Sequence, residues 1–454
     1  MPNRAPNRKL AALLEATSWS AADLARAVNG LGQAQGLHLR YDRTSVAHWL
    51  TGSRPREPVP ELVAQALSIR AGRLISARDT GLARSDGVLA SYLQPCGTRH
   101  TGNEYLRRLV ALCSQDADPN QRAALVSVAY VVVSHADPSR RRVTPVRKVA
   151  ARTRVSADEE FLRSMVELFA SLVQEYGGAH IRSALAANLA DNAARLSSIL
   201  PGESADPQVL GSCARMAYLL AFMTSDTGHH GLAQQYYDLA LALAHEAGDR
   251  ALYAITLRAM SVQALGLGYI HQAQSLADSA VEFSGRDDPA VLAFTLAQRA
   301  HTHAAQALSN RAMSDIMGSA AAHEQAESHG SAFTDYPRAG LEYKRARTLQ
   351  LLHRPEQAIL AFQSSIKHRD PNQHRPYALT QARLAETFLS CRQLDAACLH
   401  WHLFLDHYPY VVGSNEAGRA LARMLQQARS FTRERQALEL IDRGRPLSVK
   451  LPRY

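Results

Sequence analysis

Apolar residues recur at helical spacing along almost the whole chain. In "RKLAALLEA" Leu10, Leu13 and Leu14 share a face, and "SAADLARAV" opens on Ser20 as an N-cap with Asp23 three residues later, a capping-box-like start. After Gly30, "GLGQAQGLHLR" shows no clear period and reads as a loop or a frayed helix end. A short helix is predicted next. Asp42 caps it, Arg43, Thr44 and Ser45 form its first turn, Val46 and Trp49 share its inner face, and Gly52 stops it. "PVPELVAQALSI" then buries Leu62, Ala66 and Ile69. "NEYLRRLVALCSQ" and "DEEFLRSMVELFASLVQEYGG" are amphipathic, and Gly177 and Gly178 break the second before His180 and Arg182 begin another helix.

From about residue 201 the pattern repeats. Ala233, Ala273, Ala312, Ala358 and Ala397 stand 40, 39, 46 and 39 positions apart. Four residues after each come Tyr237, Ala277, Ile316, Phe362 and Trp401, and seven after come Ala240, Ala280, Ser319, Ser365 and Phe404. Such a set lies on one helix face, where a small residue admits a neighbouring helix and the larger one fills the groove beside it. Gly228 and Gly268, each five residues before its alanine, supply the hairpin turns. "GHHGLAQQYYDLALALAHEAGD" and "HRPEQAILAFQSSIKH" resemble tetratricopeptide repeats. The departures are a period longer than that family's, a degenerate third unit "NRAMSDIMGSAAA", and Ser319 and Ser365 where a small alanine is expected. The fold class expected is all-α, a small helical head followed by a superhelix of hairpins.

Composition narrows the partners. The chain has 454 residues, Lys+Arg 51 against Asp+Glu 41, and a formal net charge of +10. That surplus favours polyanions. Five scattered cysteines form no Cys-x-x-Cys pair, which argues against a disulfide framework and for a reducing cytoplasm. The basic N-terminus lacks the apolar core of a signal peptide. The longest apolar run, "ALVSVAYVVVSHA", falls short of the roughly 20 residues that span a bilayer, so no membrane is expected.

The first eighty residues supply the order a helix-turn-helix needs: a supporting helix, a capped second helix, and a third with a polar first turn and an apolar rear. "DRTSVAHWLTGSRPR" resembles the recognition helix and following loop of the phage-repressor-like family of bacterial regulators. On that resemblance Val46 and Trp49 are core, while Arg43, Thr44, Ser45 and His48 face a DNA groove. Arginine bonds guanine bidentately, and threonine and serine reach bases or phosphates. Arg54 and Arg56 suit flanking phosphates, with Arg26 and Arg40 as weaker candidates. The segment between the second helix and Asp42 is about ten residues longer than the family's compact turn, and either extends the second helix or forms a small wing.

Other features carry less. Arg140, Arg141, Arg142, Arg147, Lys148, Arg152 and Arg154 form either a second phosphate-contacting arm or a solvated linker. Residues two apart on a helix diverge, so "HTH" at 301–303 and "HWH" at 400–402 read as structural or surface histidines rather than metal ligands. The same holds for His229 and His230. The sequence has no phosphate-cradling glycine loop with its lysine, no nucleophile elbow and no His-Glu-x-x-His, so neither enzyme activity nor a cofactor is expected.

The expected organisation is a DNA-binding head over 1–80, a basic connector over 81–158, a repeat domain over 159–440 and a basic tail over 441–454. It resembles bacterial regulators that join a helix-turn-helix to tetratricopeptide-like repeats: actinomycete regulators of differentiation and antibiotic production and, more distantly, peptide-sensing quorum regulators of firmicutes. "WSAADLARAVN", "RYDRTSVAHWLTGSRP" and the Gly-Gly-x-His segment lean toward the actinomycete branch. The resemblance implies a homodimer on double-stranded DNA whose repeat groove senses a peptide, a small molecule or a partner protein. The alternative is a scaffold or anti-activator that works by binding protein. Trp401, Phe404 and Tyr408 are expected to offer an exposed apolar surface for dimerisation.

Overall fold

The computed structural model describes residues 6–34, 37–56, 58–71, 75, 80–82, 102–126, 128–132, 157–199, 206–285, 288–326 and 336–449. Among them the regular elements are α-helices and short 3-10 turns, without a β-strand, so the fold is all-α. Among the described residues no helix is long and apolar enough to cross a membrane.

The head consists of α1 (Arg8–Thr17), α2 (Ala21–Ala34), α3 (Arg43–Leu50) and α4 (Val59–Ala71). Leu10, Leu14, Leu24, Val28, Val46, Trp49, Leu62 and Ala66 meet in its core; the side chain of Ile69 lies outside the described residues. The stretch after Gly30 is a correction: instead of fraying there, α2 continues to Ala34. The chain then folds back, with Leu37 N–H donating to the Gly32 carbonyl at 2.7 Å. A Cβ on Gly32 would stand 2.6 Å from Leu39, so glycine is what lets the returning loop lie against the helix.

Behind the head come α5 (Gly102–Ala117), α6 (Pro119–Val126), α7 (Ala157–Tyr176) and α8 (Arg182–Ile199). The basic stretch at 137–154 lies outside the described residues. Gly177 and Gly178 do separate two helices, for a reason of packing. A Cβ on Gly178 would sit 2.6 Å from the Met223 backbone. Just beyond, buried Arg182 donates to both oxygens of buried Asp116 at 2.7 and 2.8 Å and to Thr224 at 2.9 Å. The Tyr236 hydroxyl also donates to Asp116, at 2.8 Å.

The superhelix pairs α9 (Pro207–Asp226) with α10 (His230–Glu246), α11 (Arg250–Gly266) with α12 (Ile270–Ser284), α13 (Pro289–Ala305) with α14 (Ser309–Gln325), α15 (Arg338–Leu351) with α16 (Pro355–Lys367), and α17 (His374–Ser390) with α18 (Leu394–His407). A last pair is α19 (Asn415–Ala428) and α20 (Arg435–Val449), so helix continues through 441–449. Aspartates cap the first helices: Asp206, Asp249 and Asp288 accept from backbone N–H groups of α9, α11 and α13 at 3.0, 2.9 and 3.1 Å.

Each repeat alanine occupies the fourth position of α10, α12, α14, α16 or α18 and is fully buried. The two serines that depart from the pattern have matching partners. Ser319 donates to the Ala293 carbonyl and Ser365 to the Ala339 carbonyl, each at 2.7 Å and across 26 positions, so a buried hydroxyl is satisfied at a tight helix crossing. The turns repeat as well. Gly228 and Gly268 have φ of 92° and 89°, and the equivalent residues of the next three hairpins, Ala307, His353 and Arg392, hold φ of 58°, 55° and 61°. The wider spacing at the fourth unit comes from the long connection between α14 and α15.

The stack closes on itself. Arg375 of α17 donates to both oxygens of Asp226 at the end of α9, at 3.0 and 2.7 Å, and Ser414 donates to the same carboxylate at 2.9 Å. Trp401, Phe404 and Tyr408 are a second correction. They lie 1%, 0% and 0% exposed in the core of the terminal repeats and offer no outer surface. In their place Leu360, Leu399 and Leu438 are exposed on α16, α18 and α20, the first two each two residues past a repeat alanine.

Candidate nucleic-acid interface

Local chemistry places α3. The Asp42 side chain accepts from Ser45 N–H at 2.8 Å and from the Ser45 hydroxyl at 2.7 Å, which satisfies an otherwise orphaned N-terminal amide. These two bonds hold the exposed Asp42 carboxyl below its usual pKa, the backbone bond most. Asn29 of α2 then brackets Tyr41: its amide donates to the Tyr41 carbonyl at 2.8 Å and its oxygen accepts from Tyr41 N–H at 2.9 Å. The Tyr41 ring meets Trp49 edge-on, with centroids 5.1 Å apart. The long loop therefore delivers α3 to a fixed position against α2.

Val46 and Trp49 turn inward, 0% and 4% exposed. Arg43, Thr44 and His48 stand exposed on the opposite face, and Arg54 and Arg56 are exposed just beyond it. Ser45 differs. Its hydroxyl is engaged with Asp42 and it is half-buried, so it holds the helix start while its neighbours face out. Arg26 is exposed but paired with Asp23, and Arg40 is exposed.

The structure adds Arg8 and Lys9, which the sequence reading did not single out. With Asn7, Gly52, Ser53 and Arg54 they line a shallow surface depression. Asn7 builds it, because its N–H donates to the Leu50 carbonyl at 2.8 Å and its side chain both caps α1 through Leu10 N–H and donates to the Thr80 carbonyl at 2.8 Å. The start of α1 and the end of α3 thus meet, adding two cations to the Arg54 side of the exposed face. The basic pair in "NRKL" was the available signal; its partner lay more than forty residues away.

The histidines have separate partners. His303 Nδ1 lies 2.9 Å from Asp315 and His301 Nδ1 3.5 Å from Thr348, while His400 meets Gln381 and His402 meets Arg443, each at 2.7 Å. Among the described residues no group of three metal-ligating side chains comes together.

A family model described as the SP15 N-terminal domain matches residues 10–83, the span from the first core residue of α1 to just past α4 and the Thr80 contact. The head is therefore similar to that domain as a unit. No curated protein matches the chain.

Proposed function

We propose that this protein is a sequence-specific DNA-binding transcription regulator, acting as a homodimer, whose repeat body senses a ligand or partner. The carrying observation is α3: a capped helix anchored by buried Val46 and Trp49, with Arg43, Thr44 and His48 exposed on one face. Those side chains are suited to base edges in a major groove. Arg8, Lys9, Arg54 and Arg56 beside that face are suited to the flanking phosphates. A dimer would present two such helices to half-sites about one DNA turn apart.

A path from body to head supports the regulatory part. Ala129 packs into the head core while Tyr130 stacks on Tyr269 at 5.4 Å, and Gln234 exchanges hydrogen bonds of 2.9 and 2.6 Å with Val131. A Cβ on Gly231 would meet the Val128 carbonyl oxygen at 2.0 Å, so α10 and this segment lie in close contact. A change in the stacking of α10 is thereby offered a route to the head.

The second reading, a scaffold acting through protein contacts, is favoured by the exposed Leu360, Leu399 and Leu438 on successive outer helices. Genome-wide capture of DNA crosslinked to the intact chain and to an Arg43→Ala, His48→Ala variant of unchanged melting temperature separates the two. Sites sharing a motif and lost in the variant are expected. No enrichment with either protein would leave the scaffold reading in its place.

A further inference from the structure

The charges carried by the first helices of the hairpins are not evenly compensated. On α17 they are: Arg375 pairs with Asp226, and Arg383 lies 2.9 Å from Glu386 and 3.7 Å from Glu416. Arg258 of α11 and Lys344 and Arg347 of α15 are not, although Arg338 and Arg345 of α15 lie 3.8 and 3.7 Å from Glu342. Arg258 stacks on the Phe294 ring at 3.9 Å, and its Nε is buried without a hydrogen-bond partner. Arg347 has a buried Nη1 in the same condition, as does the Tyr336 hydroxyl. Lys344, 9% exposed, donates to the neutral side chain of Gln298 at 3.0 Å. Among the described residues no carboxylate lies within ion-pair distance of Arg258, Lys344 or Arg347, although Glu416 acts on Lys344 and Arg347, and Glu386 on Arg347, from farther away.

Arg258 and Arg347 both act on Lys344. Burial, then Arg258 and Arg347, hold the Lys344 ammonium well below its ordinary pKa. Burial, followed by Lys344 and Arg347, keeps His301 neutral in the same way. Glu416 attracts Lys344 and Arg347 from beyond ion-pair distance but leaves the buried Arg258 and Arg347 N–H groups unused, a cost to the fold that an anion supplied from outside removes.

We propose that Arg258, Lys344 and Arg347, with Gln298, His301 and the Tyr336 hydroxyl around them, form a binding site for a small molecule bearing a di- or triphosphate group. The arginine forks match phosphate oxygens, and the Phe294 stack occupies the face of the Arg258 guanidinium while its Nε has no hydrogen-bond partner. Arg258 and Arg347 lack the carboxylate partners that Arg375 and Arg383 have further along the groove, so a compact anion fits them better than an extended acidic chain. This deepens the reading of the repeat body as a sensor, and it does not depend on the head.

The test is calorimetric titration of the full chain with inorganic pyrophosphate in 150 mM KCl (roughly the physiological ionic strength) and without DNA. Saturable binding is expected, at least about tenfold weaker in Arg258→Gln and in Arg347→Gln. Lys344→Met is expected to melt higher than the parent without ligand, because it removes an uncompensated buried charge; a part in holding the fold would lower its melting temperature. It also serves should an arginine variant fail to fold. Absence of binding, undiminished affinity in the variants, or tighter binding of a hexaglutamate peptide than of pyrophosphate would each overturn the proposal. An Arg43→Ala, His48→Ala protein is expected to bind pyrophosphate normally, so failure of the DNA reading and failure of this one give different results.

Discussion

Arg375 holds Asp226 with two hydrogen bonds, of 3.0 and 2.7 Å, although 149 positions separate them. The Asp226 side chain is only 2% exposed, so it depends on that guanidinium for its charge to be tolerated. Arg375→Ala is expected to cost about 3–5 kcal/mol, as breaking a buried pair does. Arg375→Met with Asp226→Asn should recover part of it. Urea unfolding gives the stability, and small-angle scattering gives the accompanying increase in radius as the superhelix opens. Unchanged values for both in Arg375→Ala would mean that the clasp contributes nothing.

The left-handed turns predict a gain. Ala307, His353 and Arg392 are exposed residues in a conformation that costs a side chain about 1–2 kcal/mol and glycine little. After the extra entropy of an unfolded glycine, each substitution to glycine is expected to stabilise by about 0.5–1 kcal/mol. Gly268→Ala, where an added methyl meets no atom within 4 Å, should lose a similar amount through φ alone. Thermal melts of the four single variants check the signs.

Acid should weaken the fold before its carboxylates titrate. Burial lowers His230 from 6.5 to about 3, and His301 is also pushed well down by burial and the cations near it. Both are neutral in the fold and take up a proton on unfolding below 6.5. Their contribution is therefore complete above that pH and falls as pH drops, by up to about 1.4 kcal/mol per pH unit for each. Denaturation midpoints at pH 7.5, 6 and 5 should decline in that order, less so in His230→Asn. A flat profile would contradict the burial of both rings.

In the head, Trp49→Ala is expected to cost about 3–5 kcal/mol by emptying the core, and to abolish any binding through unfolding. Arg43→Ala should leave the melt unchanged while relaxing base preference by about 1–3 kcal/mol. Arg54→Ala and Arg8→Ala should weaken binding to all sequences alike and reduce its salt dependence. Fluorescence anisotropy on a selected and a scrambled duplex, at two salt concentrations, distinguishes these outcomes.

The helical period, the inward pair Val46 and Trp49, the N-cap at Asp42 and the register of the five repeat alanines were legible in the sequence, because each depends on residues within one or two turns of helix. Ser45 was expected to face the groove with its neighbours, but its hydroxyl is bonded to Asp42, since a serine in the first turn serves a cap or faces outward with equal ease. The neighbourhood of Arg8, Lys9 and Arg54, the carbonyl partners of Ser319 and Ser365, the Arg182–Asp116 bond and the Asp226–Arg375 clasp join residues from 26 to 149 positions apart. No local pattern encodes which distant surfaces meet. That is decided by how each hairpin's small rotation accumulates along the stack, and by a few glycines, Gly32, Gly178 and Gly231, whose missing side chains let two backbones approach. Short-range periodicity thus determined what this chain is made of, and only the tertiary stack decided which of its distant side chains meet.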